Sequence, residues 1–383
     1  MTGLPFHRPA AAALLLVLGA AGAQAQEAVV RIAHAGALTG GAAHFGKDTE
    51  RGAQLAVDEL NARGVAIGGR KVRLELVSED DAGDPRQGAA VAQKLVDARV
   101  QGVVGHLTSG PSLPASRIYA NAGIPQVTPS ATMPQLTRQG FKTMFRLVAD
   151  DTRQGGAMAK YAHDVLKLRR IAVIDDRTAY GQGLATEFAK AFRALGGQVA
   201  ATEFTNDKAV DFSAILTSIK AKRPDAVFYG GMDAVGGPLL RQMRALGVNG
   251  KLLGGDGICT TALPQLAGGA VPDEGVYCLE AGGIDAAHQK AYDDFRARYK
   301  AKYGADVQVY APYAYDAVRV MVAAMEQAGS SEPAKYLPAL AKTAGFPGVT
   351  GAIGFDAKGD LKDSALTLYT YRGNARTLLS VIR

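Results

Sequence analysis

The chain has 383 residues, more than one hydrophobic core usually organises, so two domains are expected. Hydrophobic residues make up 48% and charged residues 21%, the balance of a globular chain and not of a disordered one. The formal net charge is +7, yet Lys and Arg alternate with Asp and Glu, as in Asp293-Asp294-Phe295-Arg296-Ala297-Arg298. That pattern gives solvated helix faces and excludes the one-sided basic stripe of a nucleic-acid binder.

The first 25 residues stand apart. Arg8 precedes an uncharged apolar run from Ala10 to Gly22, and Ala23-Gln24-Ala25 is a small-x-small site. Positive start, short apolar core and such an end predict a secretory signal peptide cleaved after Ala25. The alternative, a membrane anchor, needs roughly 20 apolar residues, and this run is shorter. No later segment reads as transmembrane, and no Cys lies near the cleavage site to carry a lipid. Two cysteines follow, Cys259 and Cys278. In an oxidising compartment they can form one disulfide; two buried free thiols are the alternative. A bridge closing so short a loop stabilises by roughly 3 kcal/mol at most.

In chain order, Val29 to Ala35 reads as a strand and Asp48 to Ala62 as a helix, with Ala53, Ala56, Val57 and Leu60 at helical spacing. Val72, Leu74 and Leu76 alternate with charges, as in a half-exposed strand. Gly102 to Val104 and Ile124 to Thr128 are further short strands. A second series starts at Ile171-Ala172-Val173-Ile174, an apolar run typical of a parallel strand covered on both faces. The following helix carries Leu184, Phe188, Phe192 and Leu195 on one face and ends at Gly196-Gly197. Phe212, Ile215, Leu216 and Ile219 mark the next helix. Ala226 to Tyr229, Leu252-Leu253 and Val276 to Leu279 read as strands. Tyr292, Phe295, Tyr299 and Tyr303 form a helical stripe read as core. Another helix spans Pro312 to Ala328.

Strands alternating with helices predict an α/β fold of βαβ units with parallel sheets, and the two series predict two lobes. The lobes echo each other: each has a strand, a turn and an aromatic just before its first helix, Phe45 in one and Tyr180 in the other. In a parallel sheet that is the carboxyl edge, where ligands bind. Phe45 and Tyr180 are therefore expected to face one cleft; two unrelated loop aromatics are the alternative.

Catalytic signatures are missing. The chain has no G-x-S-x-G, H-E-x-x-H, C-x-x-C or Walker loop, and its six histidines lack metal-ligand spacing. Gly36 to Gly41 is glycine-rich without dinucleotide-fingerprint spacing. His106 reads as structural, and the acid pairs Asp80-Asp81 and Asp175-Asp176 as turn residues and caps. No enzyme, cofactor or metal is expected. What remains are polar groups without a reactive nucleophile. Thr108-Ser109 lies between a strand and a helix opened by Pro111, and Thr128-Pro129-Ser130-Ala131-Thr132 follows the next strand. Hydroxyls and free N–H groups at a helix start suit a carboxylate. Gly254-Gly255-Asp256-Gly257 follows a strand of the second series. Asp256 there could pair with an ammonium, although composition alone reads it more readily as a turn residue.

From about Val29 to Leu361 the chain resembles the periplasmic leucine/isoleucine/valine-binding proteins of ABC importers. The resemblance is carried by Gly40 to Gly52, Asp80 to Gln87, Gly105-His106-Leu107, Pro114-Ala115-Ser116 with Tyr119, and Thr128 to Leu136. It continues through Tyr180 to Ala185, Tyr229-Gly230-Gly231, Leu240-Arg241-Gln242 and Asp356 to Lys362. It implies a type I periplasmic binding protein: two Rossmann-like lobes with parallel sheets, joined by three crossovers, trapping ligand in a closing cleft. The implied division is signal peptide 1–25, first lobe 26–149 and 281–362, second lobe 150–280 and 363–383. The implied partners are an amino-acid ligand and a membrane permease, the chain itself being a periplasmic monomer. By resemblance Ser109 and Thr132 hold the ligand carboxylate, the Ser130 carbonyl and Asp256 hold its ammonium, Phe45 and Tyr180 close the cleft, and Leu107 lines it.

The chain departs from that pattern in places. The family acid is typically Glu, one methylene longer than Asp256. Met232 stands where a tyrosine is expected, and Phe45 lacks the hydroxyl of the expected tyrosine. A disulfide of the branched-chain members would join the positions of Gly83 and Thr108; Cys259 and Cys278 are extra. Met232 and Phe45 favour a larger apolar or aromatic ligand side chain. A methylene in a pocket is worth only about 1–3 kcal/mol, so specificity drifts easily. Rival readings keep the fold but bind an amide, urea or aromatic carboxylate, or report ligand to a membrane receptor as a sensor.

Overall fold

The computed structural model describes residues 1–3, 27–269, 271–284 and 286–383. The apolar run and cleavage site expected before residue 26 lie outside the described residues. Two sheets organise the chain. The first contains β1 (Ala28–Gly36), β2 (Val65–Ile67), β3 (Arg70–Asp80), β4 (Gly102–Gly105), β5 (Gln126–Thr128) and β6 (Met144–Arg146), in the order β2-β3-β1-β4-β5-β6. All neighbours are parallel except β2, which folds back on β3. The second sheet is built on β7 (Arg170–Asp175), β8 (Gln198–Phe204), β9 (Ala226–Gly230), β10 (Lys251–Gly254) and β11 (Val276–Glu280). A small hairpin, β12 (Phe346–Pro347) and β13 (Ala352–Ile353), lies outside both sheets. The chain then adds β14 (Leu366–Arg372) and β15 (Ala375–Ile382), giving the order β15-β14-β11-β10-β9-β7-β8.

Helices make the crossovers. The first lobe uses α1 (Ala43–Arg63), α2 (Pro85–Asp97) and α3 (Ser109–Asn121). The second uses α4 (Asp151–Lys160), α5 (Ala179–Ala194), α6 (Ser213–Ala221), α7 (Asp233–Ala245) and the single turn α8 (Leu263–Leu266). The chain then returns to the first lobe as α9 (Gln289–Tyr303), α10 (Ala311–Ala328) and α11 (Pro333–Ala341), which share a core with β1 and α1. At the contact of α1 with α10 a side chain on Gly52 would place its Cβ 2.1 Å from the Ala311 carbonyl oxygen, so the approach requires glycine.

Local chemistry explains the elements. In β7 the run Ile171 to Ile174 is wholly buried, because helices cover both faces of a parallel sheet. Phe188 of α5 stacks on Phe228 of β9 with ring centroids 3.9 Å apart. Thr178 caps α5 by accepting the Gly181 amide at 2.9 Å, and Asp84 caps α2, which opens at Pro85. The α9 stripe is core: Phe295 and Tyr299 are buried, and the Tyr299 hydroxyl donates to Asp48 at 3.1 Å.

The fold is α/β with parallel sheets in two lobes, and the antiparallel margins are an addition to the expectation. Strand β14 pairs antiparallel with β11, and β15 with β14. Their turn places Gly373 and Asn374 at positive φ, 55° and 63°, which matches the right-handed twist of a two-residue hairpin. The expected acid roles are also refined. Asp80 and Asp175 accept loop amides, but the caps are Asp84 and Thr178.

Candidate functional site

The carboxyl ends of the parallel strands carry the site, as the sheet geometry requires. After β4 the chain passes through His106, Leu107 and Thr108 into α3. His106 is fully buried, with Nδ1 2.6 Å from Asp81 Oδ2 and Nε2 3.1 Å from the Tyr119 hydroxyl, so it anchors the loop as a structural residue. The loop after β5 is tied to it. The Thr128 hydroxyl donates to the His106 carbonyl at 3.0 Å, and the Ser130 hydroxyl to the Leu107 carbonyl at 2.6 Å. Ser109 Oγ accepts the Met133 amide at 3.3 Å. Arg146, entirely buried at the end of β6, donates to the Met133 carbonyl at 2.7 Å and pairs with Asp360. The first-lobe wall is thus a set of hydroxyls and backbone groups in a fixed frame.

The second-lobe wall is charged. Asp256 follows β10 and is 1% exposed. Its Oδ1 accepts the Tyr180 hydroxyl at 2.7 Å and its Oδ2 the Tyr310 hydroxyl, also at 2.7 Å. Burial raises the Asp256 carboxyl above its usual range, and the two tyrosine hydroxyls work against that rise. Burial and the neighbouring Asp256 push both tyrosines well above the ordinary phenol value. The Asp256 amide donates to Gln154 Oε1 at 3.2 Å, and the Gly257 amide to the Tyr180 hydroxyl at 2.9 Å. Behind the loop, Cys259 is joined to Cys278 of β11, with Cα atoms 5.3 Å apart. Arg376 donates to the Cys259 carbonyl, and the Tyr371 hydroxyl to that of Thr260, both at 2.6 Å.

Between the walls lies a narrow cavity, about 10 Å³. Phe45, Leu107, Ser109 and Ser130 line it from the first lobe; Tyr180, Met232 and Asp256 line it from the second. Of the eight residues singled out in the sequence, these seven come together. Thr132 sits behind them: it is 1% exposed, its hydroxyl completes no hydrogen bond, and its carbonyl accepts the Asp151 amide at 2.9 Å. Thr108 and Ala131, which lie in the two polar segments noted in the sequence, also line the cavity, as does Tyr310, which the sequence reading did not find. Tyr310 is the N-cap residue of α10, just ahead of Pro312, and packs its ring 5.5 Å from Phe45. Its one local signal was an aromatic at a helix start, as at Phe45 and Tyr180, but without the glycine that follows each of those. Asp151 was missed as well. It is fully buried, and burial, with Asp256 adding to it, pushes its carboxyl well above the carboxylate range.

A larger cavity, about 170 Å³, opens where the chain crosses between lobes, lined by Ala281 to Gly283, Thr350 to Ile353 and Arg383. It lacks what the cleft has, polar groups converging from the carboxyl ends of both sheets. Among the described residues no group of His, Cys, Asp or Glu is placed to hold a metal, and no helix is long and apolar enough to cross a membrane.

Residues 29–375 match the family described as periplasmic binding protein. The Leu/Ile/Val-binding protein homolog 1 of Brucella abortus is 36% identical over 338 residues, covering 88% of this chain and 89% of its own. A leucine binding protein of Thermotoga maritima superposes with a TM-score of 0.84 at 31% identity, over 92% of this chain and 98% of that one. A solute binding protein of R. palustris, solved with benzoate, superposes with a TM-score of 0.80, over 92% and 96% of the two chains. At 20% identity that third likeness is one of fold.

Proposed function

Because the chain belongs to the periplasmic binding protein family, we propose that it is the extracytoplasmic substrate-binding protein of an ABC importer, capturing an amino acid with a branched-chain or other apolar or aromatic side chain by hinge closure. The observation that carries this reading is the opposition of a buried carboxylate, Asp256, to the hydroxyls and helix start of Ser109 and Ser130 across one small cavity. The ligand carboxylate lies at the start of α3, held by Ser109 and Thr132. The ammonium meets Asp256 and the Ser130 carbonyl. A carboxylate has about four lone-pair sites, so Asp256 can keep both tyrosine hydroxyls and still accept N–H donors. The side chain packs on Phe45, Leu107 and Met232.

The lobes turn on the crossovers near residues 149, 280 and 362, with 26–149 and 281–362 forming one body and 150–280 and 363–383 the other. Closure traps the ligand and excludes water, and the closed monomer docks on a membrane permease. The chain reaches the periplasm by cleavage after Ala25.

A second reading keeps the fold and exchanges the ligand for an amide, urea or aromatic carboxylate. It is favoured by one observation: both oxygens of Asp256 already accept a tyrosine hydroxyl, which a ligand without an ammonium leaves undisturbed. Thermal shift of the mature protein against amino acids, short amides and aromatic acids separates the two. A ligand at about a thousand times its Kd stabilises by roughly 4 kcal/mol. A shift with Leu, Ile, Val or Phe that disappears in Asp256→Ala supports the first reading. A shift only with an amide or aromatic acid, kept in Asp256→Ala, supports the second.

A further inference from the structure

His44 lies on α1 of the first lobe, next to Phe45, and Asp233 opens α7 of the second, next to Met232. Phe45 and Met232 both line the cavity, so the two residues meet at its edge. His44 Nε2 is 3.2 Å from Asp233 Oδ2, and no covalent path within either lobe holds them there. Asp233 is wholly buried, while the His44 side chain keeps 32% of its surface exposed. The same Oδ2 accepts the Thr260 hydroxyl at 2.6 Å, and Oδ1 of Asp233 completes no hydrogen bond. Among the described residues this buried carboxylate at a helix start has one cationic partner, His44, and that partner belongs to the other lobe.

We propose that His44 and Asp233 form a latch between the lobes, engaged by protonated His44 in the closed state, so that ligand capture takes up a proton. His44 and Asp233 are positioning residues, since neither lines the cavity. The groups facing the imidazole are Asp233 from α7, Asp48 one turn along its own helix, the Gly41 carbonyl from the preceding loop, and the Phe45 ring at 4.1 Å. Burial alone would lower the imidazole; the Asp233 bond and charge, Asp48 and Gly41 outweigh it and raise the value above 6.5. When the lobes part, Asp233 is lost as a partner and the imidazole returns toward its ordinary value. The closed form therefore holds the proton more tightly. The latch is fully engaged below the open-form value and is lost as pH rises through the raised closed-form value.

The inference rests on the amino-acid reading only for its probe, leucine. Leucine affinity is measured by calorimetry in the wild type and in His44→Gln from about pH 5 to about pH 8. Titration of Asp256 and of the ligand is common to both proteins and cancels in their ratio. The expected result is a wild-type advantage of roughly fivefold at the acid end that vanishes at the alkaline end. A ratio that does not change with pH overturns the latch and leaves the amino-acid reading standing. A second measurement follows the His44 titration by NMR in the wild type and in Asp233→Asn, each saturated with whichever compound of the thermal-shift panel raises its melting temperature. A higher value in the wild type supports the pairing, and equal values overturn it. Failure of leucine to bind either protein counts against the amino-acid reading alone, and the NMR comparison with the compound that does bind then decides the latch.

Discussion

The two walls of the cleft are built from different materials. The first-lobe wall is neutral and knitted to itself: Ser130 spends its hydroxyl on the Leu107 carbonyl, Ser109 accepts an amide, and Arg146 holds the next loop by its carbonyls. The second-lobe wall is a buried charge whose partners come from distant points of the chain, Tyr180 and Tyr310. A frame of backbone bonds fixes shape and changes little when one side chain is altered. A buried charge fixes sign, and its loss is expensive because its neighbours are arranged for it. The charged wall should therefore discriminate between ligands, and the neutral wall should orient them.

The largest expected effect follows from that contrast. Asp256→Ala should weaken amino-acid binding at least a hundredfold, about 3 kcal/mol, and should also lower the melting temperature, because it leaves the Tyr180 and Tyr310 hydroxyls buried without their acceptor; calorimetry with leucine measures the first and calorimetric melting the second. Next comes the brace behind the charged wall. Replacing Cys259 and Cys278 together by Ser opens a loop of sequence separation 19 and should cost about 3 kcal/mol in denaturant unfolding. Tyr310→Phe removes one donor to Asp256 and should weaken leucine binding about tenfold, the value of a hydrogen bond to a charged group. The smallest effect is expected on the neutral wall. The Thr132 hydroxyl is buried, completes no close hydrogen bond and faces the buried Asp151 carboxyl, so Thr132→Val should change the melting temperature little. The same variant should weaken leucine binding about threefold, and a variant that instead loses stability would place that hydroxyl in the fold and not in the ligand site.

Legibility followed locality. Runs such as Ile171 to Ile174 and Ala226 to Tyr229 declared themselves as covered strands because every position is buried. The cleft residues Phe45 and Tyr180 were legible because each follows a strand closely, although both lie in the first turn of the next helix and not ahead of it. Tyr310 was not: its partner Asp256 lies 54 residues away, and only the return of the chain to the first lobe brings them together. Asp151 looked like any acid at a helix start, and its burial comes from packing between elements. The β14–β15 hairpin was overlooked for a different reason. Its turn is Gly373-Asn374, a usable signal, but its strands mix apolar and polar residues without the dense runs found elsewhere.

The route of the chain also bears on when this protein can fold. Neither lobe is complete until the segment beyond residue 285 is available: α10 lies against α1, and β14 supplies the neighbour that β11 otherwise lacks on one side. A partly synthesised chain presents an open sheet edge and an uncovered helix face, with contacts that must wait for partners far along the sequence. The same interleaving that joins the lobes thus delays their completion until nearly the whole length can take part.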